Sequence, residues 1–268
     1  MGNFRQQLRI AGSVELSVHK RSASGDSKRP QKAMRSEVNF LPEHPQNRTM
    51  EMLEQDRNDL QSEMKKKNVD WKKVDALMDS TFSLRRKEVI REEPLVKDLK
   101  TRWPALFTER QIEAEFRRIV SKNLKQSFFD GLDELVPRFL RVYRQRQSVK
   151  ELPAILTSLD DDPNEENEAV KGMDVGILIL TENEQRPLPK EVIDVALALE
   201  EDVVLRNLKD VPHAFSLLMG LLYGLNIHYP KGLRYMFEII QKVIMKIGAE
   251  SCSSRVNGVR NRLMSTHM

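Results

Sequence analysis

The sequence predicts a mainly α protein: one or more multi-helix domains, a minor β element near residues 173–180 and a disordered basic N-terminal arm. Three observations predict it. Apolar residues recur at helical spacing through most of residues 49–159 and again through 212–248. One run, Met173–Leu180 (MDVGILIL), is short, continuous and bounded by turn formers, as a strand is. Residues 1–48 are dominated by Gly, Ser, Pro and charge, and such a composition buries too little apolar surface to fold.

Each element has its own signal. Residues 38–41 (VNFL) are expected to dock as a short extended segment. Thr49 is placed to cap a helix to about Lys67, with Met50, Leu53, Leu60 and Met64 on a thin stripe. Lys65, Lys66, Lys67, Lys72 and Lys73 surround Trp71. Two readings stand here, a solvated face with one anchoring tryptophan and a nucleic-acid contact. Residues 69–92 read as one helix. Phe82, Val89 and Ile90 share its apolar face, and Arg85, Arg86, Lys87 and Arg91 take the opposite one. Glu93-Pro94 ends it, because a residue before proline is pushed out of the α region. The same pair opens a helix carrying Leu95, Val96, Leu99 and Trp103, which Trp103-Pro104 stops. Thr108 and Gln111 have capping-box spacing, and Ile112, Phe116, Ile119 and Val120 continue as a core stripe. Leu124–Tyr143 reads as one or two helices. Gly131 allows a break, and Asp133 caps a restart with Pro137 in its first turn. Arg138, Arg141, Arg144 and Arg146 near the end suit the helix dipole. Phe82, Trp103, Phe107, Phe116 and Phe139 are the expected aromatic core.

Leu152–Leu159 reads as a short helix. Asp160–Glu168 carries six acids and no base, an exposed linker over 160–169 that separates a helical region at 49–159 from a second one at 170–264. In the second region, Val192–Leu199 reads as a helix started by Pro189, and Asp202–Leu208 is compatible with helix or strand. Asp210-Val211-Pro212 starts an apolar helix to Leu225, and Lys231–Gly248 follows, making an αα-hairpin at 212–248. Gly220 and Gly224 permit close helix packing, and Val256–Met264 adds a weak terminal helix.

Composition narrows function. The chain has 268 residues, a net charge of +4 and a single cysteine, which rules out a disulfide framework. Its most apolar run, Ala214–Ile227, is shorter than the ~20 residues of a bilayer span. MGNFRQ places Gln6 where a myristoylation signal wants Ser or Thr. An intracellular protein, nuclear or cytoplasmic, with no membrane partner is expected. His19, His44, His213, His228 and His267 form no HExxH and no zinc spacing with Cys252, and the chain has no P-loop and no GxSxG. The expectation is therefore not an enzyme, with no catalytic, metal or cofactor-binding residues and no cofactor. What remains is a non-enzymatic protein-interaction scaffold with an unidentified protein partner. The alternative is weak, sequence-tolerant association with nucleic acid through the basic arm, whose contacts would be Arg5, Arg9, Lys20, Arg21, Lys28, Arg29, Lys32 and Arg35.

Several strings carry a resemblance. RRKEVIREEP, RWPALF with the following IEAEFRRI, DVPHAFSLLMGLLYGLNIHYPKGLRYMFEIIQKV, and EVNFLP at 37–42 resemble the C-terminal region of the sterile alpha motif domain-containing protein 3 family, its fish relatives included. The resemblance covers roughly residues 35–250. None of these strings is a catalytic motif, and the sterile alpha motif itself is not recognisable. The MGNFRQQLR start resembles an internal segment of longer relatives, which implies a chain truncated at its N-terminus relative to them.

Overall fold

The computed structural model describes residues 40–144, 156–160, 170–181 and 192–264. Among these the order is α1 (Met50–Met64), α2 (Trp71–Ser80), α3 (Phe82–Lys87), α4 (Val96–Arg102), α5 (Glu109–Val120), α6 (Leu124–Arg144), β1 (Leu156–Asp160), β2 (Val175–Thr181), β3 (Val192–Leu199), β4 (Asp202–Leu205), α7 (Val211–Gly224), α8 (Arg234–Ile239) and α9 (Ser254–Met264). The protein is mainly helical with a small sheet. The basic arm and most of the acidic linker lie outside the described residues.

Helix starts follow the local signals. Thr49 Oγ1 accepts the Met52 amide at 3.3 Å, Asp70 Oδ1 the Lys72 and Lys73 amides at 3.0 and 3.2 Å, and Asp210 Oδ1 the His213 amide at 2.8 Å. Each such cap contributes roughly 1 kcal/mol. The capping box at Thr108 is half made. Thr108 Oγ1 accepts the Gln111 amide at 3.4 Å, but the Gln111 side chain does not reach back; it donates to Asp75 at 2.7 Å and ties α5 to α2.

Some helix boundaries are corrected. Residues 69–92 are not one helix. Thr81 Oγ1 donates to the Leu77 carbonyl at 2.6 Å, a back-bond that bends helices, and α3 starts anew beyond it. A π-helical turn, Glu88–Glu92, follows, and Glu93 at φ 52 ends the run before Pro94. Conversely, α6 runs unbroken through Gly131 and contains Pro137 in its interior. Gly131 serves packing instead: an added Cβ would stand 2.0 Å from the Ile244 carbonyl oxygen.

The sheet is larger than the single expected strand. Its order is β1-β2-β3-β4, with β1 parallel to β2 and the other pairs antiparallel. Val192–Leu199 is strand β3 and not a helix, residues 156–160 are strand β1 within a segment expected as helix, and Asp202–Leu205 resolves as strand. The cause of the misreading is burial on both faces. Val175, Ile177, Val195, Leu197 and Leu199 join the helical core, while Leu178, Leu180, Ala196 and Ala198 are buried on the other side with Val170. A strand buried on both faces is a continuous apolar run without alternation, so its period does not announce it.

One apolar core takes side chains from Leu53 to Leu263, from both sides of the acidic linker. Trp103, Phe107 and Phe116 are buried in it, while Phe82 and Phe139 are half-buried. Helix α7 runs through its middle, packed on α5 and α6. Gly220 permits that approach, since a Cβ there would meet Ile112 Cγ2 at 2.4 Å and Leu124 Cδ2 at 2.7 Å. Helix α8 passes into a second π-helical turn, Ile240–Ile244, which packs on α6.

Candidate functional site

Among the described residues, helix α3 carries two adjacent fully buried arginines. Arg85 and Arg86, expected on an exposed face, are both 0 % exposed. Arg85 makes a bidentate pair with Glu115 of α5, Nε to Oε1 at 2.9 Å and Nη2 to Oε2 at 2.6 Å. It also donates to Thr81 Oγ1 and the Met78 carbonyl, and its guanidinium lies 5.2 Å from the Trp103 ring centroid. Arg86 points elsewhere. Its Nη1 donates to the Tyr223 and Gly224 carbonyls at 3.3 and 2.9 Å, capping the C-terminus of α7, and its Nε donates to the Phe40 carbonyl at 3.2 Å. A fourth buried charge, Glu88 in the π turn, accepts from Arg102 Nε at 2.8 Å and Trp103 Nε1 at 2.7 Å. Arg102 reaches on to Glu54 at 2.6 Å. Six residues from four helices and one π turn are thus locked around α3.

Electrostatics follow from this geometry. Burial pushes the Glu115 carboxyl up, but Arg85, Arg118 and Arg86 outweigh burial and hold it below the ordinary carboxylate range. Burial pulls the Arg86 guanidinium down to about 10, with Arg85 adding repulsion and Glu115 opposing both. It stays charged at neutral pH. Glu54 and Glu238 repeat the Glu115 pattern: burial raises them, while Arg57 and Arg102, and Ser253 and Lys242, lower them further. These depressed carboxylates predict acid sensitivity with a definite sign. A folded-state pKa below the unfolded one gives stability that is complete above the unfolded value, 4.5 for glutamate. It drains as pH falls through the lower folded values. Urea midpoints measured from pH 7 down to pH 3 should be flat at first and then fall steeply below about pH 4.5. A Glu115→Gln variant should show a shallower fall.

The network's bonds run to carboxylates and backbone carbonyls of the fold, and Arg86 Nη2 is buried without a hydrogen-bond partner. His213 Nε2 is 2.8 Å from Glu109 Oε2, and His44 Nδ1 is 2.8 Å from Ser83 Oγ, but the Ser83 hydroxyl belongs to a residue only 4 % exposed. Among the described residues no group of three His, Cys, Asp or Glu is placed to hold a metal ion, and no helix is long and apolar enough to cross a membrane. A cleft of about 290 Å³ lies between Leu95 and Lys97 on one side and Glu200, Glu201 and Asp202 on the other. Glu200 and Glu201 form the two-residue turn between β3 and β4, both at positive φ, where Asn and Gly are the usual occupants. Their carboxylates explain the choice. Glu200 accepts the Val96 amide at 2.8 Å, supplying the cap that α4 lacks, and Glu201 accepts the Gly172 amide at 2.7 Å. The cleft's acids are structural in this sense.

The eight arm residues expected to contact polyanions, Arg5 through Arg35, all lie outside the described residues. The surface offers other features. Among the described residues eight large apolar side chains are exposed, and four of them, Phe40, Leu41, Met50 and Met52, fall at the N-terminal edge of the described chain. The extended segment from Phe40 is held there by the Arg86 bond, by Phe82 at a ring separation of 6.2 Å and by the His44–Ser83 contact. No sequence signal distinguished the buried arginines, since a charged doublet reads as a solvated face. Of the segment expected to dock, residues 38–41, Phe40 makes contacts with Arg86 and Phe82, and residues 38–39 lie outside the described residues.

Residues 53–108 match the family model of the sterile alpha motif domain-containing protein 3 helical domain. The match runs from Leu53 in α1 to the cap of α5, within the stretch whose strings resemble that family. It contains Arg85, Arg86, Glu88 and Arg102, though not Glu115. No curated protein and no solved structure matches the chain.

Proposed function

We propose that this chain, with its helical-domain match at residues 53–108, is a non-enzymatic protein-interaction scaffold. The observation that carries the proposal is the apolar N-terminal edge. Phe40 and Leu41 are 44 % and 38 % exposed on a segment pinned in place, and Met50 and Met52 on the first turn of α1 are 39 % and 42 % exposed. Large apolar side chains on a rigid support suit a partner's amphipathic helix or strand.

Photo-crosslinking from position 52 in cells tests this. The expected result is a reproducible protein adduct that Leu41→Asp with Met50→Asp abolishes while the melting curve is unchanged. An adduct set indifferent to those substitutions, or none at all, overturns the proposal. A second reading rests on the eight Lys/Arg against two acids in residues 1–35. It is weak, salt-dependent association of the arm with nucleic acid, and deleting residues 1–35 should abolish it.

A further inference from the structure

Of the two tryptophans, the fold buries Trp103 completely and leaves Trp71 36 % exposed. Trp71 opens α2 beside the turn from α1 and does not anchor the core. The Arg110 guanidinium lies 5.9 Å from its ring centroid and is itself held by Asp75, Nε to Oδ1 at 3.0 Å. The ring is thus fixed by a cation and still open to solvent.

Five exposed lysines flank it in sequence, Lys65, Lys66 and Lys67 before it and Lys72 and Lys73 after it. The buried Glu63 carboxylate gathers the two sides. Its Oε2 lies 2.7 Å from Lys66 Nζ and 3.7 Å from Lys73 Nζ, and its Oε1 accepts the Asp70 amide at 3.1 Å. Lys65, Lys67 and Lys72 have no carboxylate partner among the described residues. The nearby acids are all engaged: Glu63 with the lysines, Asp70 as the cap of α2, and Asp75 with Arg110 and Gln111.

We propose that the α1–α2 turn binds single-stranded nucleic acid, with Trp71 stacking on a base and the unpaired lysines meeting phosphates. An acidic peptide would use the lysines but has no need of the ring. A π platform among cations is the arrangement that tracks a single strand without reading its sequence. Duplexes hold their bases stacked and away from such a ring, so single strands are favoured. This contact is separate from the arm and from the apolar edge.

The test is a titration of the full chain with an oligothymidylate of about twelve nucleotides, within the usual site size. Binding is followed by tryptophan fluorescence and by anisotropy of a labelled strand. Trp71 is the accessible fluorophore, so binding at the turn should quench emission. The Trp71→Ala variant should weaken binding about five- to a hundredfold, and Trp71→Phe should restore most of it. Lys65→Glu with Lys67→Glu should also weaken it, and three phosphate contacts predict a slope of log K against log salt of about −2. The lysines are exposed, so melting midpoints of the lysine variants and of Trp71→Phe should stay at the wild-type value. Binding without quenching, binding indifferent to Trp71→Ala, or no binding at low salt overturns the proposal. So does polyglutamate competing as well as the oligonucleotide, which would make the partner an acidic protein.

Discussion

Replacing Arg85 by alanine is expected to lower the free energy of unfolding by about 3–5 kcal/mol, because the buried Glu115 carboxylate loses its bidentate counter-charge. Glu115 would keep Arg118, Nη1 to Oε2 at 2.9 Å, but would lose both bonds of the bidentate pair. Glu115→Leu should cost a similar amount by stranding Arg85. The informative variant is the double one. Arg85→Met with Glu115→Leu removes both charges, and well-packed apolar replacements of a buried pair are often neutral. The double variant should therefore be more stable than either single one. Natural domains have only ~5–15 kcal/mol in total, so the single variants will be visibly shifted in urea denaturation. Strict additivity of the two single effects would mean that the pair is not coupled.

Gly131→Ala is expected to destabilise by about 1–3 kcal/mol, the range for overpacking a filled site. Helix propensity alone gives the opposite sign, since alanine is favoured over glycine in mid-helix by roughly 0.5–1 kcal/mol. Sterics decide. The new Cβ would stand 2.0 Å from the Ile244 oxygen and 2.7 Å from its carbonyl carbon. These are backbone atoms of a π turn, and the Met245 amide donates to the Ile240 carbonyl at 2.8 Å to close it. No side chain can swing aside to make room. Gly258 in α9 is the control, with nothing within 4 Å of an added Cβ. Gly258→Ala should raise the melting temperature while Gly131→Ala lowers it. Equal shifts of one sign would show that α6 does not approach Ile244 so closely.

Local chemistry was legible wherever the deciding atoms lie within a few residues. Thr49, Asp70, Thr108 and Asp210 all cap helices, and three of them were readable from side-chain type and position. Asp70 was hidden by the expectation of one helix from 69 to 92. Glu93-Pro94 and Trp103-Pro104 end helices for the reason stated for any residue before proline. Gly220 was correctly read as a packing position. Gly131 was not, because a glycine that permits a break and one that permits a close approach look alike. The partner that distinguishes them, Ile244, is more than a hundred residues away.

The sequence by itself determined the mainly helical class, most helix starts and the strand at Val175–Thr181, since caps, periods and turn residues act locally. Tertiary structure alone decided which way α3 faces and what Val192–Leu199 becomes. A charge is buried only if partners meet it, and those for Arg85 and Arg86 lie 30 residues away at the Glu115 carboxylate and 138 away at the Gly224 carbonyl. A continuous apolar run takes the form its neighbours complete, and here β2 and β4 supply hydrogen bonds on either side. Neither contact leaves a trace in nearby residues, so the polarity of α3 and the extent of the sheet emerge only when the chain closes on itself.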